Sequence, residues 1–397
     1  MNIKSLLLGS AAALVAVSGA RAADAVVIAE PEPMEYVRVC DVYGTGFFYI
    51  PGTETCLRIS GYVRYDIRVG DAIGNQDVID KKDFAEGELE ENDTYEKRAR
   101  FDLRVDARSE TELGTLRGYG EIRYNFNTAV NGGFTDNESA IDVNHVYIEL
   151  GGFRIGKTDS LFTTWTGYAG AVILDDIAVG YGPFDTHQIA YTWTGANGFS
   201  AAIALEMGDG DDEAFGIDTD GDGVVDAVSS ISDIYTVDSY VPHVTGGVAY
   251  TAAWGGVSAV VGYDSVWEEW AAKARLDVNA TEQLALFVMA GYASKDDDFV
   301  DAGGFGFVNG GPNYYGSWGG DWAVWGGATY TVSEKTKINA QLAYDEAENF
   351  SAGLNVAYEL VPGLVITPEI VYVDNFDDDL GDDNDAFGGM VRFQRTF

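Results

Sequence analysis

The sequence has few of the residues on which most active sites and metal centres depend. Its 397 residues include only three histidines and two cysteines. His145, His187 and His243 lie in no nucleophile or zinc spacing, and no G-x-S-x-G elbow occurs, so enzymatic chemistry is weakly supported. After the N-terminal apolar stretch, no segment reaches the ~18 uninterrupted apolar residues that a transmembrane helix needs. This excludes a helical membrane protein.

Basic residues are also scarce. Lysine and arginine number 24 against 64 aspartates and glutamates, which gives a formal net charge of −40. Such a charge argues against nucleic acid as a partner, and calcium, magnesium or basic ligands fit it better.

The N-terminus predicts export. Residues 1–22 combine Lys4, an apolar stretch and small residues at Ala20 and Ala22, which is typical of a cleaved signal peptide. An N-terminal segment, residues 23–56, would follow and contain both Cys40 and Cys56. In an oxidising compartment we expect these cysteines to form a disulfide-closed hairpin, with two free thiols as the alternative.

A period of two dominates the remainder, residues 57–397, as residues 57–69 and 98–108 show most clearly. Apolar residues take one face of these segments, and charged residues take the other. Continuing this pattern predicts sixteen strands, near residues 57–69, 98–108, 115–126, 143–150, 153–157, 187–195, 198–206, 243–253, 256–263, 267–277, 283–292, 320–331, 335–344, 350–359, 363–373 and 386–396.

The connections between these strands alternate in length. Every second one is a brief turn, and most of the others are long and acidic: 70–96, 127–142, 158–186, 207–242, 293–319 and 374–385. This is typical of an all-β, 16-stranded antiparallel transmembrane barrel with periplasmic turns and surface loops. A secreted β-sandwich is the alternative, since alternation alone looks the same. Pro368 removes a ladder hydrogen bond and predicts a bulge.

Two stretches resemble a known family. Residues 36–66 (YVRVCDVYGTGFFYIPGTETCLRISGYVRYD) and 390–397 (MVRFQRTF) are similar to the alphaproteobacterial porins of rhizobia and their relatives. The resemblance implies a homotrimeric general-diffusion porin in the outer membrane, whose third surface loop folds into the lumen. It also implies that the terminal aromatic residue, Phe397, is read by the barrel-assembly machinery.

The basic residues cluster near the start of the chain, with seventeen of the twenty-four before residue 160. In the predicted register the first five strands point ten arginines at the lumen, and we call this set the arginine wall: Arg58, Arg64, Arg68, Arg98, Arg100, Arg104, Arg108, Arg117, Arg123 and Arg154. Such a wall selects ions in a narrow pore. Alternatively, Asp66, Asp102, Asp106 and Glu121 pair most of these arginines structurally.

The connection 158–186, called the constriction loop below, is unusually apolar in its middle and needs a surface to pack against. By analogy with porins it folds inside the barrel. Its acidic residues Asp159, Asp175 and Asp176 would then oppose the arginine wall across a constriction.

Two motifs suggest other ligands. Residues 151–158 (GGFRIGKT) match the phosphate-loop pattern, but Phe153, Arg154 and Ile155 alternate as in a strand, so we interpret the glycines as a turn. In the loop 207–242, Asp218, Asp220, Asp222 and Asp226 have the spacing of a calcium loop. The glutamate expected at position twelve is missing, so a solvated acidic loop remains the alternative. No other cofactor is expected.

The sequence therefore predicts an outer-membrane channel for passive diffusion of small hydrophilic solutes, with outer-membrane lipid and lipopolysaccharide around it. Two alternatives remain open: a barrel whose acidic surface loops bind a partner or serve adhesion, and an outer-membrane hydrolase.

Overall fold

The computed structural model describes residues 38–208, 213–218, 227–231, 233–295, 299–301, 307–309, 313–376 and 385–397. The predicted signal peptide, residues 1–22, lies outside this part of the chain. No helix in the described part is long and apolar enough to cross a membrane.

The chain forms one closed antiparallel β-barrel. Each strand pairs with the next in sequence, and the last pairs with the first from Tyr62↔Thr396 to Val69↔Gly389. The sixteen barrel strands are β1 Cys56–Val69, β2 Glu96–Thr111, β3 Gly114–Asn131, β4 Phe134–Leu150, β5 Phe153–Asp159, β6 Asp185–Thr194, β7 Phe199–Glu206, β8 His243–Ala252, β9 Gly255–Tyr263, β10 Trp270–Asn279, β11 Leu284–Ala293, β12 Trp322–Ser333, β13 Thr336–Asp345, β14 Asn349–Val361, β15 Leu364–Asn375 and β16 Asp385–Thr396.

The two-residue period explains the barrel. Outward-facing Ile59 and Val63 are 53 % and 52 % exposed, whereas inward-facing Asp66 is 0 % exposed. An apolar outer surface suits lipid, and closure leaves no sheet edge, so the backbone hydrogen bonds of the strands are satisfied inside the bilayer. All sixteen predicted strands are confirmed, and the closed sheet excludes the β-sandwich.

One predicted loop is wrong. Residues 127–142 belong to β3 and β4, which are longer than expected and join through a turn at Gly132 and Gly133. Both glycines have positive φ, 59° and 84°, which suits a tight hairpin. Residues 127–142 lack a continuous apolar side, so the two-residue pattern that predicts a strand is weak in this stretch.

The bulge expected at Pro368 is also wrong. Pro368 pairs with Val391 of β16 in unbroken register. On its other side the ladder has no partners between Asn355↔Glu369 and Tyr358↔Ile366, yet the register resumes unshifted. Because Pro368 has no backbone N–H, the ladder with β14 is interrupted there. Neither strand has an extra residue, so no bulge forms.

Short elements occupy the ends of the barrel. Between β1 and β2 lie two short strands, Asn75–Ile79 and Glu91–Thr94, and helix α1, Lys81–Glu86. Helix α2, Leu161–Thr166, opens the constriction loop. Four further short strands form a separate small sheet: Glu213–Asp218, Ala227–Ile231, Phe299–Asp301 and Phe307–Asn309.

The two chain ends of the described part are attached to β1. Cys40 and Cys56 form a disulfide with Cα atoms 6.0 Å apart, as predicted. The short strand Phe48–Tyr49 pairs with the start of β1. At the other end, the Phe397 backbone exchanges two hydrogen bonds with Gly61, at 3.0 and 3.1 Å.

The position of the disulfide predicts a local effect. In the variant Cys40→Ser/Cys56→Ser we expect protease cleavage within residues 38–50, because the covalent link to β1 is lost and the backbone ladder of this segment with β1 has only two residues. The barrel itself should stay closed, since Cys56 is only the terminal pair of the β1–β2 ladder and the cysteine side chains contribute nothing to its backbone hydrogen bonds. Limited proteolysis with intact-mass analysis measures the first effect, and gel mobility without heating measures the second. A barrel that opens in the variant would contradict this prediction.

Candidate functional site

The arginine wall lies inside the barrel on β1 to β5. Arg64 and Arg100 are directly opposite each other across β1 and β2, and Asp102 is opposite Arg123 across β2 and β3. Their outward-facing neighbours, such as Val63 and Phe101, are exposed to lipid. The predicted register of these strands therefore agrees with the structure.

Most arginines of the wall form ion pairs with carboxylates on the same face. Asp102 and Asp106 are 0 % and 1 % exposed, and each accepts from several guanidinium groups. The pairs are Arg58, Arg108 and Arg117 with Asp106, Arg104 and Arg123 with Asp102 and Glu121, Arg117 and Arg154 with Glu149, Arg68 with Glu96, and Arg98 with Asp66. Six of these eight arginines pair with the carboxylates that the structural alternative names, whereas Arg68 and Arg154 pair with Glu96 and Glu149.

Two arginines differ from the rest. Arg64 Nε donates to Gln394 Oε1 at 3.0 Å, and Arg100 Nε donates to Asn125 Oδ1 at 2.6 Å. Neither is within 4.0 Å of a carboxylate in the described part of the chain. Because an amide partner carries no charge, both guanidinium groups keep their full charge toward the lumen.

The surroundings of Asp66 are therefore strongly basic. Its carboxylate binds Arg98 and also Arg392 of β16, which sequence analysis had missed, each at 2.8 Å. Together with Arg64, Arg68 and Arg100, five arginines lie around two carboxylates, those of Asp66 and Glu96. A second group has equal numbers of positive and negative side chains: Arg104 and Arg123 with Asp102 and Glu121. Positive charge is thus concentrated in one part of the wall.

The constriction loop begins at a buried carboxylate. Glu206, at the end of β7, is 1 % exposed. It accepts from Ser160 Oγ at 2.8 Å and from the Leu161 backbone N–H at 2.7 Å. Tyr315 OH and Thr245 Oγ1 also donate to it, at 3.0 and 3.3 Å. Four donors fix the carboxylate, and the carboxylate fixes the first turn of α2.

The rest of the loop is bound to inward-facing polar side chains. Lys273 of β10 donates to the Tyr181 carbonyl, and Gln341 of β13 donates to the Asp175 carbonyl at 2.7 Å. Glu369 of β15 accepts from the backbone N–H groups of Ile173 and Leu174. These bonds satisfy loop backbone groups that have no ladder partner.

Apolar packing reinforces these bonds. Ala169 and Val179 of the loop are fully buried, in one cluster with Trp325 of β12 and Met289 of β11. This is the surface that the apolar middle of the loop was predicted to need. The loop therefore lies inside the barrel along the wall from β7 to β15, across the lumen from the arginine wall.

The three acidic residues of the loop have different surroundings. Asp159 accepts from Tyr168 OH at 2.5 Å, and Asp175 accepts from Tyr181 OH at 2.9 Å. Asp176 is exposed to solvent. Burial, followed by repulsion from Asp176, raises the pKa of the Asp175 carboxyl to about 7. None of the three carboxylates is within 4.0 Å of an arginine in the described ranges. Their charges therefore act on the arginine wall only across the lumen.

Two motifs remain, the phosphate-loop pattern at residues 151–158 and the calcium-loop spacing that starts at Asp218. Gly151 and Gly152 make the turn into β5 with positive φ, 57° and 94°, and a strand follows in place of a phosphate-binding helix. Asp220, Asp222 and Asp226 lie outside the described residues, and of Asp218 only the backbone is described, as a strand end. Across the described ranges, no group of three His, Cys, Asp or Glu side chains is arranged to hold a metal ion.

A closed barrel narrowed by an inward-folded loop defines an outer-membrane channel of the porin class. Solved structures share this fold. The outer-membrane channel DcaP of Acinetobacter baumannii aligns over 88 % of this chain and 99 % of its own, with a TM-score of 0.60 and 16 % identity. Salmonella typhi OmpF, solved in complex with daunomycin, aligns over 87 % and 98 %, with a TM-score of 0.57 and 9 % identity.

The sequence comparisons give the family. The family model described as "Porin subfamily" matches residues 24–389. Porin Omp2b of Brucella suis and porin Omp2a of Brucella melitensis are each 47 % identical to this chain, over all of both chains. The chain therefore belongs to this porin family and forms a channel in the bacterial outer membrane. Membership implies a channel rather than an enzyme.

Sequence reasoning missed the residues that hold the loop. Glu206 is the single charged residue of its strand, FSAAIALE. Lys273 and Glu369 share their strands with other charged residues, WAAKARLDVN and LVITPEIVYVDN, but each has only uncharged residues directly beside it. A charge between small or apolar neighbours at an inward-facing position is the signal that could have identified them. It indicates a partner inside the barrel.

The contacts of Glu206 predict the effect of its removal. In Glu206→Ala, Ser160, Thr245, Tyr315 and the Leu161 N–H lose their acceptor, which should destabilise the attached loop by roughly 3 kcal/mol or more. We expect new protease cleavage within residues 158–186 and increased current noise in single-channel records. Glu359→Ala, on the periplasmic end of β14, is a control that changes neither. An unchanged loop in Glu206→Ala would contradict the prediction.

Proposed function

We propose that this porin selects small hydrophilic solutes in the gap between the arginine wall and the constriction loop. The observation that carries the proposal is the attachment of the loop to the wall from β7 to β15, which leaves the arginines on β1 to β5 facing open lumen. Solutes in that gap lose bulk screening and meet fixed charges of opposite sign on its two sides.

The charge arrangement supports selection by polarity. Asp175 and Asp176 lie on one side of the gap, and the excess of arginines around Asp66 lies on the other. A field across the gap orders dipolar water, so polar solutes displace that water more readily than apolar solutes of equal size. Exposed charges are screened over about 8 Å at physiological salt, so the effect belongs to the narrowest part of the channel.

A planar-bilayer measurement tests the channel itself. The purified protein should give discrete conductance steps, and a salt gradient should give a reversal potential that reports the preference between cations and anions. A barrel that inserts without steps would contradict passive diffusion and would favour a structural or adhesive role.

The two arginines without carboxylate partners should dominate the anion preference. Arg64→Gln/Arg100→Gln should raise the ratio of potassium to chloride permeability by at least about twofold, because two uncompensated charges leave the lumen. The matched control is Asp102→Asn/Arg104→Gln, which changes two residues of the balanced group but not the net charge. An equal shift in both variants, read from reversal potentials in a potassium chloride gradient, would contradict this assignment.

The raised pKa of Asp175 predicts a pH effect near neutrality. Asp175 lies in the loop, outside the sixteen strands, and its carboxyl loses its proton as the pH rises through about 7. Between about pH 6 and about pH 8 the cation preference should therefore increase. Asp175→Asn should remove this dependence, whereas Asp238→Asn, on a surface loop, should retain it. A pH dependence that survives in Asp175→Asn would assign it to another group.

Assembly belongs to the same proposal. We infer a homotrimer, since porins are typically trimeric, surrounded by outer-membrane lipid and lipopolysaccharide. Recognition of Phe397 by the barrel-assembly machinery is supported by its place at the seam, where its ring is 49 % exposed. Calcium binding by Asp218, Asp220, Asp222 and Asp226 stays a prediction, which calorimetric titration of the solubilised protein and of Asp220→Ala/Asp222→Ala would decide.

A further inference from the structure

A polar cavity lies inside the barrel, between the constriction loop and the short-turn ends of β8 to β10. Its volume is about 420 Å³, and its lining combines Thr166 and Tyr168 of the loop with Thr251, Ser258 and Asp277 of the strands. These strand residues alternate with outward-facing apolar residues, so they face the lumen. A cavity of this volume lies within the range of small-molecule sites, roughly 300–1,000 Å³.

Two polar groups at the cavity lack hydrogen-bond partners among the described residues. Thr166, the last residue of α2, is 3 % exposed, and its Oγ1 is one of them. The other is the indole N–H of Trp165, which also lines the cavity and is buried. A buried donor without an acceptor costs free energy, which a bound polar group recovers. Thr166 and Trp165 therefore indicate a ligand with several hydrogen-bonding groups.

The charged residues of the lining, Arg275 and Asp277, compensate each other. Arg275 Nε and Nη2 donate to the Asp277 carboxylate at 2.8 to 3.0 Å, and Arg275 Nη1 donates to the Tyr168 carbonyl at 2.5 Å. The Arg275 side chain is 12 % exposed, whereas that of Asp277 is 47 % exposed. An anion would meet a guanidinium group that is already occupied, and a cation would meet a carboxylate that is already neutralised. The cavity therefore favours an uncharged ligand whose hydroxyl groups donate to Asp277.

Contacts between the loop and the barrel wall keep the cavity in shape. The guanidinium carbon of Arg275 lies 4.1 Å from the centre of the Phe287 ring, and its bond to Tyr168 fixes the turn that follows α2. Tyr168 OH donates to Asp159 at 2.5 Å, while the Tyr168 residue is 44 % exposed. An exposed aromatic ring beside fixed polar groups offers apolar surface to the C–H side of a sugar ring. Because these side chains are already positioned, binding orders few of them.

We propose that this cavity binds neutral sugars on the periplasmic side of the constriction. A sugar carries hydroxyl groups that both donate and accept, which matches the carboxylate of Asp277 and the hydroxyl groups of Thr166, Thr251 and Ser258. The C–H side of the same ring matches Tyr168. The inference rests on the proposed channel function, to which it adds a class of solute and a binding step.

Single-channel recording in a planar bilayer tests this binding. Sucrose added on the short-turn side should lower the open-channel current in a saturable manner and add current noise as molecules enter and leave the cavity. Thr166→Val/Thr251→Val removes two hydroxyl groups with no change in charge and little change in shape. This variant should raise the sucrose concentration for half-maximal block about fivefold for each hydroxyl group removed.

The matched control is Thr192→Val/Thr367→Val, which changes two inward-facing threonines of β6 and β15 outside the cavity. It should keep the sucrose response of the unaltered protein. A polyethylene glycol of the same hydrodynamic size is the control for the solute. It should lower the current only in proportion to its concentration, because its ether oxygens accept hydrogen bonds but do not donate them.

The outcomes separate the sugar site from the channel function. Discrete conductance steps without a saturable sucrose response would overturn the site and leave the channel function standing, whereas a protein without steps would overturn both. An equal response in the unaltered protein and in Thr166→Val/Thr251→Val would also overturn the site. A lower half-maximal concentration for glucosamine or glucuronate than for glucose would overturn the neutral class and assign the cavity to charged solutes.

Discussion

The position of the constriction loop depends on a buried carboxylate, that of Glu206. A loop inside a barrel has no ladder partners, so its backbone needs other hydrogen-bond partners or water. Glu206 supplies them where the chain leaves β5 and turns into α2, and it also connects this turn to β8 through Thr245 and to a surface loop through Tyr315. A carboxylate buried without these donors would strongly destabilise the barrel interior. Loop position and wall structure are thus coupled at one point.

Other polar side chains of the barrel wall bind the rest of the constriction loop. Lys273, Gln341 and Glu369 each present one polar group from the barrel wall to the loop backbone, while Ala169 and Val179 fill the spaces between these contacts. Polar contacts fix the position of the loop, and apolar contacts exclude water from behind it. The open part of the lumen is left next to the arginines of β1 to β5. The architecture therefore separates the residues that hold the loop from those that face solutes.

The sequence predicted the barrel well because alternation is a local property. In 57–69, for example, the face on which each residue lies follows from whether its number is odd or even, and this alone predicts which arginines point inward. The strands at 127–142 were missed because the two-residue pattern weakens where a hairpin lacks a continuous apolar side. The partners of the arginines could not be predicted in the same way. Arg64 meets the amide of Gln394 on β16, 330 residues further along the chain. Arg98 meets Asp66 because the register of β1 and β2 places the two residues opposite each other.

The closing seam of the barrel has a consequence for how the chain folds. Fifteen of the strand pairs join neighbours in sequence and can form as hairpins, but β1 and β16 meet across almost the whole chain. Bringing such distant segments together costs more chain entropy than closing a hairpin, so we expect the seam to form more slowly than the hairpins. Three contacts reinforce it: the Arg392–Asp66 ion pair, the Arg64–Gln394 hydrogen bond and the backbone bonds of Gly61 with Phe397. Residues 389–397 thus cover the edge of β1, and removing them would leave that edge of the sheet without a partner.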